Sequence, residues 1–218
     1  MERDVRALTA IRDLAAFRRF LALLASRTGQ VLNKTDIAAP LGVSVPTVSQ
    51  WLSILEITAQ ILLVHPFFEN FGKRLIKSPK LYFLDSGLVC HLLGIENADS
   101  LGRSPFSGAV FEGFMASEIV KAQVNRGKRR ELYFFRDEQG LEVDFVAPTG
   151  AAKLLLLEAK ATRTLWPEMA APMERLARAV KRYKVHSAVI GLTPKDDSLS
   201  MLRLGIRAAS LKDLPSLL

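Results

Sequence analysis

The chain lacks the residues and the apolar runs that several classes of protein need. Its 218 residues include a single cysteine, Cys90, and only three scattered histidines. One cysteine excludes an internal disulfide and a cysteine-rich zinc site, and it is typical of a reducing compartment. No apolar run approaches the roughly 20 residues of a membrane-spanning helix, and the first residues carry mixed charge without a signal-peptide pattern. We therefore expect a cytoplasmic protein that is neither secreted nor membrane-bound.

Positive charge exceeds negative charge in both halves of the chain. Lysine and arginine number 30 against 22 aspartates and glutamates, which gives a formal charge of +8. Residues 1–105 carry +3 of this excess and residues 106–218 carry +5. The basic run Arg126–Arg130 is either a solvated loop or a phosphate clamp. Such a balance favours polyanionic partners, so DNA is the expected partner and no membrane partner is expected.

The first half of the chain predicts a helix-turn-helix. Apolar residues recur at three- and four-residue steps over 8–24, which indicates an amphipathic helix. Asn33 is placed to cap a short second helix, Gly42 to make a tight turn, and Ser44 to cap a third helix that has Pro46 in its first turn. Because the capping, the glycine and the apolar spacing agree, we predict two crossing helices.

Two candidate strands, 61–68 and 80–85, follow the helix-turn-helix and flank a basic loop. A helix-turn-helix followed by a basic-tipped hairpin is a winged helix. The candidate recognition helix, 44–56, has no arginine or lysine, so positive charge for phosphate contacts comes from the loop. The predicted DNA-binding residues are Thr47 and Gln50 on the helix, and Lys73, Arg74, Lys77 and Lys80 in and beside the loop.

A cluster of turn-forming residues at 97–108 separates this part from the rest. We place the domain boundary there, with a winged-helix domain over 1–98 and a second domain over 105–218. The second domain predicts helices at 106–125 and 166–183, strands at 132–135, 141–147, 153–160 and 186–192, and a last strand and helix within 206–218. The expected fold class is α+β, with α-β-β-β-α-β order in the second domain.

Charged side chains of the types used in catalysis lie together at the end of one predicted strand. In the third strand of the second domain, Glu158 and Lys160 share a face, because successive side chains alternate. If the preceding strand pairs with it as a hairpin, Asp144 faces them. An aspartate followed after thirteen residues by Glu-x-Lys is the PD-(D/E)xK pattern of metal-dependent nucleases. The helix before these strands offers Glu112 and Glu118 as further acids.

The chemistry of that pattern follows from its residue types. Carboxylates hold Mg²⁺ ions, which prefer oxygen ligands, and the ion activates water and stabilises charge on phosphate. The lysine positions or helps to deprotonate that water. We therefore predict Asp144, Glu158 and Lys160 as the catalytic residues. The alternative is a solvated ion pair between Glu158 and Lys160, with Asp144 as a further partner of the lysine.

Six segments carry a family resemblance: Thr28–Asn33, Leu41–Val48, Gly72–Leu88, Phe111–Phe114, Phe134–Asp137 and Glu142–Val146. Together they resemble the C-terminal region of a prokaryotic AAA-type ATPase family. That region is a domain of unknown function with a winged helix followed by a restriction-endonuclease-like fold on a central mixed sheet. The resemblance implies that Glu112 is the acid of the first helix, that Glu112, Asp144 and Glu158 are the Mg²⁺ ligands, and that an ATPase domain lies upstream in full-length relatives.

The sequence contains no phosphate-binding loop of the ATPase type. Such a loop needs Gly-x4-Gly-Lys-Ser/Thr, and neither Gly72-Lys73 nor Gly127-Lys128 has those neighbours. We therefore expect no nucleotide site, and a chain that is a C-terminal fragment, a truncated gene product or a stand-alone relative. Three functions stay open: a DNA-binding module that cleaves DNA with Mg²⁺, a non-catalytic regulatory or homo-oligomerisation region of the ATPase, and a winged-helix transcription regulator.

Overall fold

The computed structural model describes residue 11 and residues 13–67, 77–192 and 201–218. They fold into a mixed α+β structure with an eight-stranded mixed sheet. The chain divides into two compact units. Unit 1 contains the described residues of Met1–Leu63 and Ser78–Phe114, and unit 2 contains those of Val64–Lys77 and Met115–Leu218. The division therefore falls inside one strand and one helix, whereas the sequence places a boundary at 97–108.

Unit 1 is mainly helical. Its elements are α1 Leu14–Ala25, α2 Lys34–Leu41, α3 Val45–Ile57, β2 Lys80–Phe83, α4 Ser86–Leu92 and α5 Ala98–Arg103, with the start of strand β1 (Ile61–Pro66) and of helix α6 (Ser107–Asn125). Aromatic side chains fill its core, where the ring of Trp51 lies 5.1 Å from that of Phe20 and 5.4 Å from that of Phe17. These contacts join α1 to α3.

The predicted caps and turn around α2 and α3 are present. The Asn33 side chain accepts two backbone N–H groups of the first turn of α2. Gly42 has a left-handed φ of 66°, and the Ser44 hydroxyl accepts the backbone N–H of Thr47. No single helix in the described residues is long and apolar enough to cross a membrane. By length and composition, α2 and α3 pass that test only as a pair, which is bent by 110°.

Unit 2 is built on the sheet. Its elements are the end of β1, the end of α6, β3 Tyr133–Arg136, β4 Glu142–Gly150, β5 Lys153–Ala159, α7 Ala171–Ala179, β6 Lys184–Gly191, β7 Met201–Arg203, β8 Ile206–Ser210 and α8 Leu214–Leu217, with 3₁₀ turns at Pro167–Ala170 and Leu211–Asp213. The strand order is β2-β1-β3-β4-β5-β6-β8-β7. Strands β3, β4 and β5 pair antiparallel, while β1 is parallel to β3, β5 to β6 and β6 to β8. The predicted order of helix, three strands, helix and strand is confirmed.

Two elements differ from the sequence-based expectation. Residues 98–103, predicted as turns, form α5 because Asn97 and Ser100 make a capping box at its start. Strand β1, predicted as one arm of a wing, is also hydrogen-bonded to β3, with His65 opposite Tyr133. Its second half therefore belongs to the sheet of unit 2.

Strand β5 ends where the backbone packs closely against β6. The four residues Leu154–Leu157 are all buried, because β4 and β6 flank the strand and α7 packs against it. Just beyond β5, the backbone N–H of Lys160 donates to the carbonyl of Ile190 at 2.9 Å. A Cβ on the next residue, Gly191, would lie 2.9 Å from the carbonyl oxygen of Thr162. The missing side chain at Gly191 therefore lets the segment that carries Lys160 approach β6.

We expect Gly191→Ala to lower the free energy of unfolding by about 1–3 kcal/mol, because the backbone carbonyl of Thr162 has to move away from the new methyl group. Urea denaturation followed by circular dichroism measures this. In the matched control Gly108→Ala, on α6, the new methyl meets no atom within 4 Å. That variant should keep its stability or gain up to about 1 kcal/mol. Equal stability of the two variants would contradict the close approach at Gly191.

Candidate active site

An open cavity of about 1100 Å³ lies in unit 2, where β4 begins and β5 ends. Its wall includes all three residues of the predicted nuclease pattern, Asp144, Glu158 and Lys160. The rest of the wall comes from the β3–β4 turn and from the segment 168–179, which contains α7. The structure thus brings the three candidates to one place.

The position of Asp144 follows from the pairing of β4 with β5. These strands are antiparallel, with Phe145 opposite Leu157, so continuing the register by one residue puts Asp144 opposite Glu158 on the same face. The Asp144 carboxylate accepts the backbone N–H of Ala159 at 2.9 Å, and the residue is 8% exposed. Its orientation toward the end of β5 is therefore held by a backbone group.

Glu158 and Lys160 form an ion pair, but the carboxylate is not solvated. The Lys160 Nζ lies 2.7 Å from the Glu158 Oε1, and Glu158 is only 6% exposed. The ion pair of the alternative interpretation therefore exists, but its carboxylate is buried and only its ammonium is partly exposed to solvent. A carboxylate taken out of water needs compensating positive charge.

The wall of the cavity is acidic although the chain as a whole is basic. Five carboxylates (Asp137, Glu142, Asp144, Glu158 and Glu168) stand against two cations, Lys160 and Arg175, which leaves a formal charge of −3. A phosphate is itself an anion, so this wall attracts cations and repels phosphate unless a cation lies between them.

Glu112 is bound within unit 1. Its carboxylate accepts hydrogen bonds from the Lys80 Nζ at 2.9 Å and from the Tyr82 hydroxyl. Lys80 is 3% exposed and Tyr82 is fully buried. The assignment of Lys80 to DNA binding is therefore wrong, because its ammonium is buried against Glu112 and does not reach a phosphate.

The three predicted metal ligands are not found as one group. No set of three or more His, Cys, Asp or Glu side chains in the described parts of the chain is arranged to hold a metal ion. Glu112 lies in the ion pair with Lys80, while Asp144 and Glu158 share the cavity of unit 2. Of the three predicted ligands, Asp144 and Glu158 are the two that line the cavity.

The other predicted DNA-binding residues differ in exposure and in hydrogen bonding. Lys77 and Gln50 are exposed. The Thr47 hydroxyl lies 2.8 Å from the capping hydroxyl at the start of α3, so it already has a hydrogen-bond partner. Lys73 and Arg74 lie outside the described residues, and their role stays a prediction from the sequence.

Four charged residues of the cavity wall are not among the sequence-based candidates: Asp137, Glu142, Glu168 and Arg175. Positions 168, 171, 172, 175 and 179 line the cavity together with Leu176, and those on α7 have the spacing of one helical face. The available signal was this repeat of small residues broken by two charges. It was hidden by the stronger apolar stripe through Met173 and Leu176.

Cys90 is a poor nucleophile. Burial raises the pKa of its thiol above the ordinary value, and the carboxylate of Asp85 raises it further. Because the thiolate is the reactive form, a raised pKa lowers the reactivity of this thiol at neutral pH. We therefore assign Cys90 no chemical role.

Glu112→Gln is expected to destabilise the chain without changing divalent-ion binding. The substitution removes the negative charge that accepts hydrogen bonds from the buried Lys80 ammonium and the Tyr82 hydroxyl, and losing hydrogen bonds to a charged group costs about 1.5–3 kcal/mol. Urea denaturation measures the loss, and calorimetry with Mn²⁺ checks the binding.

Glu118→Gln is the matched control on the same helix, since Glu118 forms an exposed pair with Lys121 at 3.0 Å. It should change the free energy of unfolding by less than about 1 kcal/mol. A Glu112→Gln variant that is fully stable but binds no Mn²⁺ would instead identify Glu112 as a metal ligand.

Two families of unknown function match the chain. Residues 1–99 match "Domain of unknown function (DUF8612)" and residues 107–213 match "Domain of unknown function (DUF4143)". Uncharacterised proteins of Mycobacterium bovis and Mycobacterium tuberculosis are each 33% identical to the chain over 144 residues, which cover 66% of this chain and 32% of each relative. The match thus spans about a third of the length of these curated relatives. No solved structure matches the chain.

Proposed function

We propose that this chain is a cytoplasmic DNA-binding module of an AAA-type ATPase family and that its second unit cleaves DNA with Mg²⁺. One observation carries the proposal: Asp144, Glu158 and Lys160, the residues of the PD-(D/E)xK pattern, line one cavity. The β4–β5 register gives the same-face arrangement that this pattern needs. A winged helix in unit 1 and a restriction-endonuclease-like fold in unit 2 are part of the proposal.

The side chains of the cavity fit a Mg²⁺ ion held by two carboxylates. Mg²⁺ is usually bound through one or two carboxylates, and water and substrate phosphate complete its coordination. Asp144 and Glu158 are buried and opposite each other in the continued register, so they would hold the ion. Two buried carboxylates beside one ammonium favour a further positive charge at this place.

When bound, the ion would polarise the phosphodiester and make a coordinated water more acidic. The groups of the chain have separate tasks. The N–H of Ala159 holds the Asp144 carboxylate in place. The Lys160 side chain is 35% exposed and lies beside Glu158, so its ammonium adds positive charge where the attacked phosphate gains negative charge.

Exposed basic residues support DNA binding that does not depend on sequence. The chain has a formal charge of +8, and Arg126–Arg130, the loop before β3, is exposed throughout. Lys77 is also exposed. Cations of this kind contact phosphates and carry no base information.

The link to an ATPase is supported by resemblance and by family context. The second matching family occurs in proteins associated with AAA-type ATPases. The matched segment makes up 32% of the mycobacterial relatives, which leaves room in those proteins for an ATPase domain.

A non-catalytic regulatory or oligomerisation region of such an ATPase is the second candidate function. It is favoured by the lack of a three-ligand acidic group in the described residues and by the ion pair that holds Glu112. In that case the fold acts as a scaffold and the chain binds no divalent ion.

Two variants should distinguish the loss of metal binding from the loss of cleavage. Asp144→Asn should abolish both the cleavage of plasmid DNA and the binding of Mn²⁺ in calorimetry, because a neutral amide is a poorer ligand than a carboxylate. It keeps an oxygen that can accept the N–H of Ala159, so circular dichroism should be unchanged. Lys160→Ala should abolish cleavage but keep Mn²⁺ binding, because an ammonium is not a ligand.

Glu138→Gln provides the control for charge, since Glu138 is exposed on the β3–β4 turn and does not line the cavity. It should keep wild-type cleavage and Mn²⁺ binding. A wild-type chain that binds no Mn²⁺ and cuts no DNA, even when the ATPase domain is supplied, would favour the scaffold function.

DNA affinity should fall steeply as salt rises, because binding to phosphates releases counterions. Replacing Lys73, Arg74 and Lys77 together by alanine should weaken binding to unrelated duplexes alike and lower the salt slope by up to about 3. Fluorescence anisotropy at several salt concentrations measures both effects.

The matched control replaces Arg18, Arg19 and Lys34, three exposed cations of α1 and α2, and makes the same change in net charge. It should bind nearly as wild type does. Equal weakening in the two triple variants would show that total charge, and not the loop, determines the affinity. Weakening at one base sequence only, reproduced by Gln50→Ala, would support the transcription regulator.

A further inference from the structure

Arg175 differs from Lys160, the other cation of the cavity wall, and from its helix neighbour Arg178, because both of these are paired. Lys160 lies 2.7 Å from Glu158, and on α7 itself Arg178 is paired with Glu174. Arg175 lines the cavity, yet within the described residues it forms no hydrogen bond or ion pair. A guanidinium in this setting is available to an anion from outside the chain.

The packing of α7 fixes where Arg175 lies. Met173 and Leu176 are buried in the core of unit 2 and hold the helix on the sheet. The cavity face of the helix carries Ala171 and Ala179, whose short side chains leave room around Arg175. The guanidinium therefore extends from a rigid, well-anchored element, as a substrate-binding group should.

We propose that Arg175 binds a phosphate group of the nucleic acid that enters the cavity. This inference rests on the proposed function. The cavity wall has a formal charge of −3 with both cations counted. Without Arg175 the wall would offer a phosphate only Lys160, which is already paired with Glu158. The planar guanidinium donates two parallel N–H groups to phosphate oxygens, which an ammonium does not.

Binding in the absence of divalent ions tests the proposal without relying on cleavage. A fluorescein-labelled DNA duplex is titrated with the full chain in EDTA at low salt, and anisotropy gives the dissociation constant. Arg175→Ala should raise it about tenfold or more, which is the loss expected for hydrogen bonds to a charged group. The salt slope should fall by about 1. Arg175→Gln, which keeps a long polar side chain, should show the same loss, and Arg175→Lys a smaller one.

Arg178→Ala is the matched control, because it removes one positive charge from the same helix. Arg178 is 76% exposed, is paired with Glu174 and does not line the cavity. Its dissociation constant should stay within about twofold of wild type, as expected for a charge that contacts no phosphate. Wild-type affinity in Arg175→Ala and Arg175→Gln, or an equal loss in Arg178→Ala, would overturn the proposal. A wild-type chain that binds no DNA would overturn the proposed DNA-binding function itself.

Discussion

The register between β4 and β5 is the constraint on which the candidate site depends. With Phe145 opposite Leu157, Asp144 and Glu158 fall on one face, and a slip of one residue would turn one of them to the other side. The register is held by the buried run Leu154–Leu157 and by the bond from the Ala159 N–H to Asp144. Apolar burial that stabilises the sheet therefore also places the two acids together, and their proximity favours positive charge beside them.

Two glutamates show how surroundings give one residue type two roles. Glu112 and Glu158 each lie within 3 Å of a lysine ammonium, at 2.9 Å and 2.7 Å. The partner of Glu112 is buried, and a buried tyrosine hydroxyl closes the same site. The partner of Glu158 is partly exposed at a cavity of about 1100 Å³. The first pair is enclosed and stabilises the fold, whereas the second is open to exchange with a ligand.

Local signals in the sequence were sufficient for most of the elements but not for α5 or for every side chain. The caps at Asn33 and Ser44 and the alternation along β5 depend on neighbouring residues, so they could be predicted. The burial of Lys80 depends on Glu112, 32 residues further along the chain, and sequence pattern does not contain that contact. Helix α5 was missed because the residue types that cap a helix are also those that form turns. Arg175 was missed because its place depends on how α7 packs on the sheet.

The chain as a whole is basic and its cavity is acidic. Attraction of DNA to the surface and entry of a phosphate into the cavity are therefore two separate properties. A formal charge of +8 draws a polyanion to the surface from a distance. Surface charges are screened beyond about 8 Å at physiological salt, so they do not cancel the −3 of the cavity wall. DNA held at the surface therefore enters the cavity only where a cation, either Arg175 or a bound divalent ion, lies between a phosphate and the carboxylates. Catalytic module and scaffold should consequently bind DNA with similar affinity, and they differ in whether Asp144 and Glu158 take up a divalent ion.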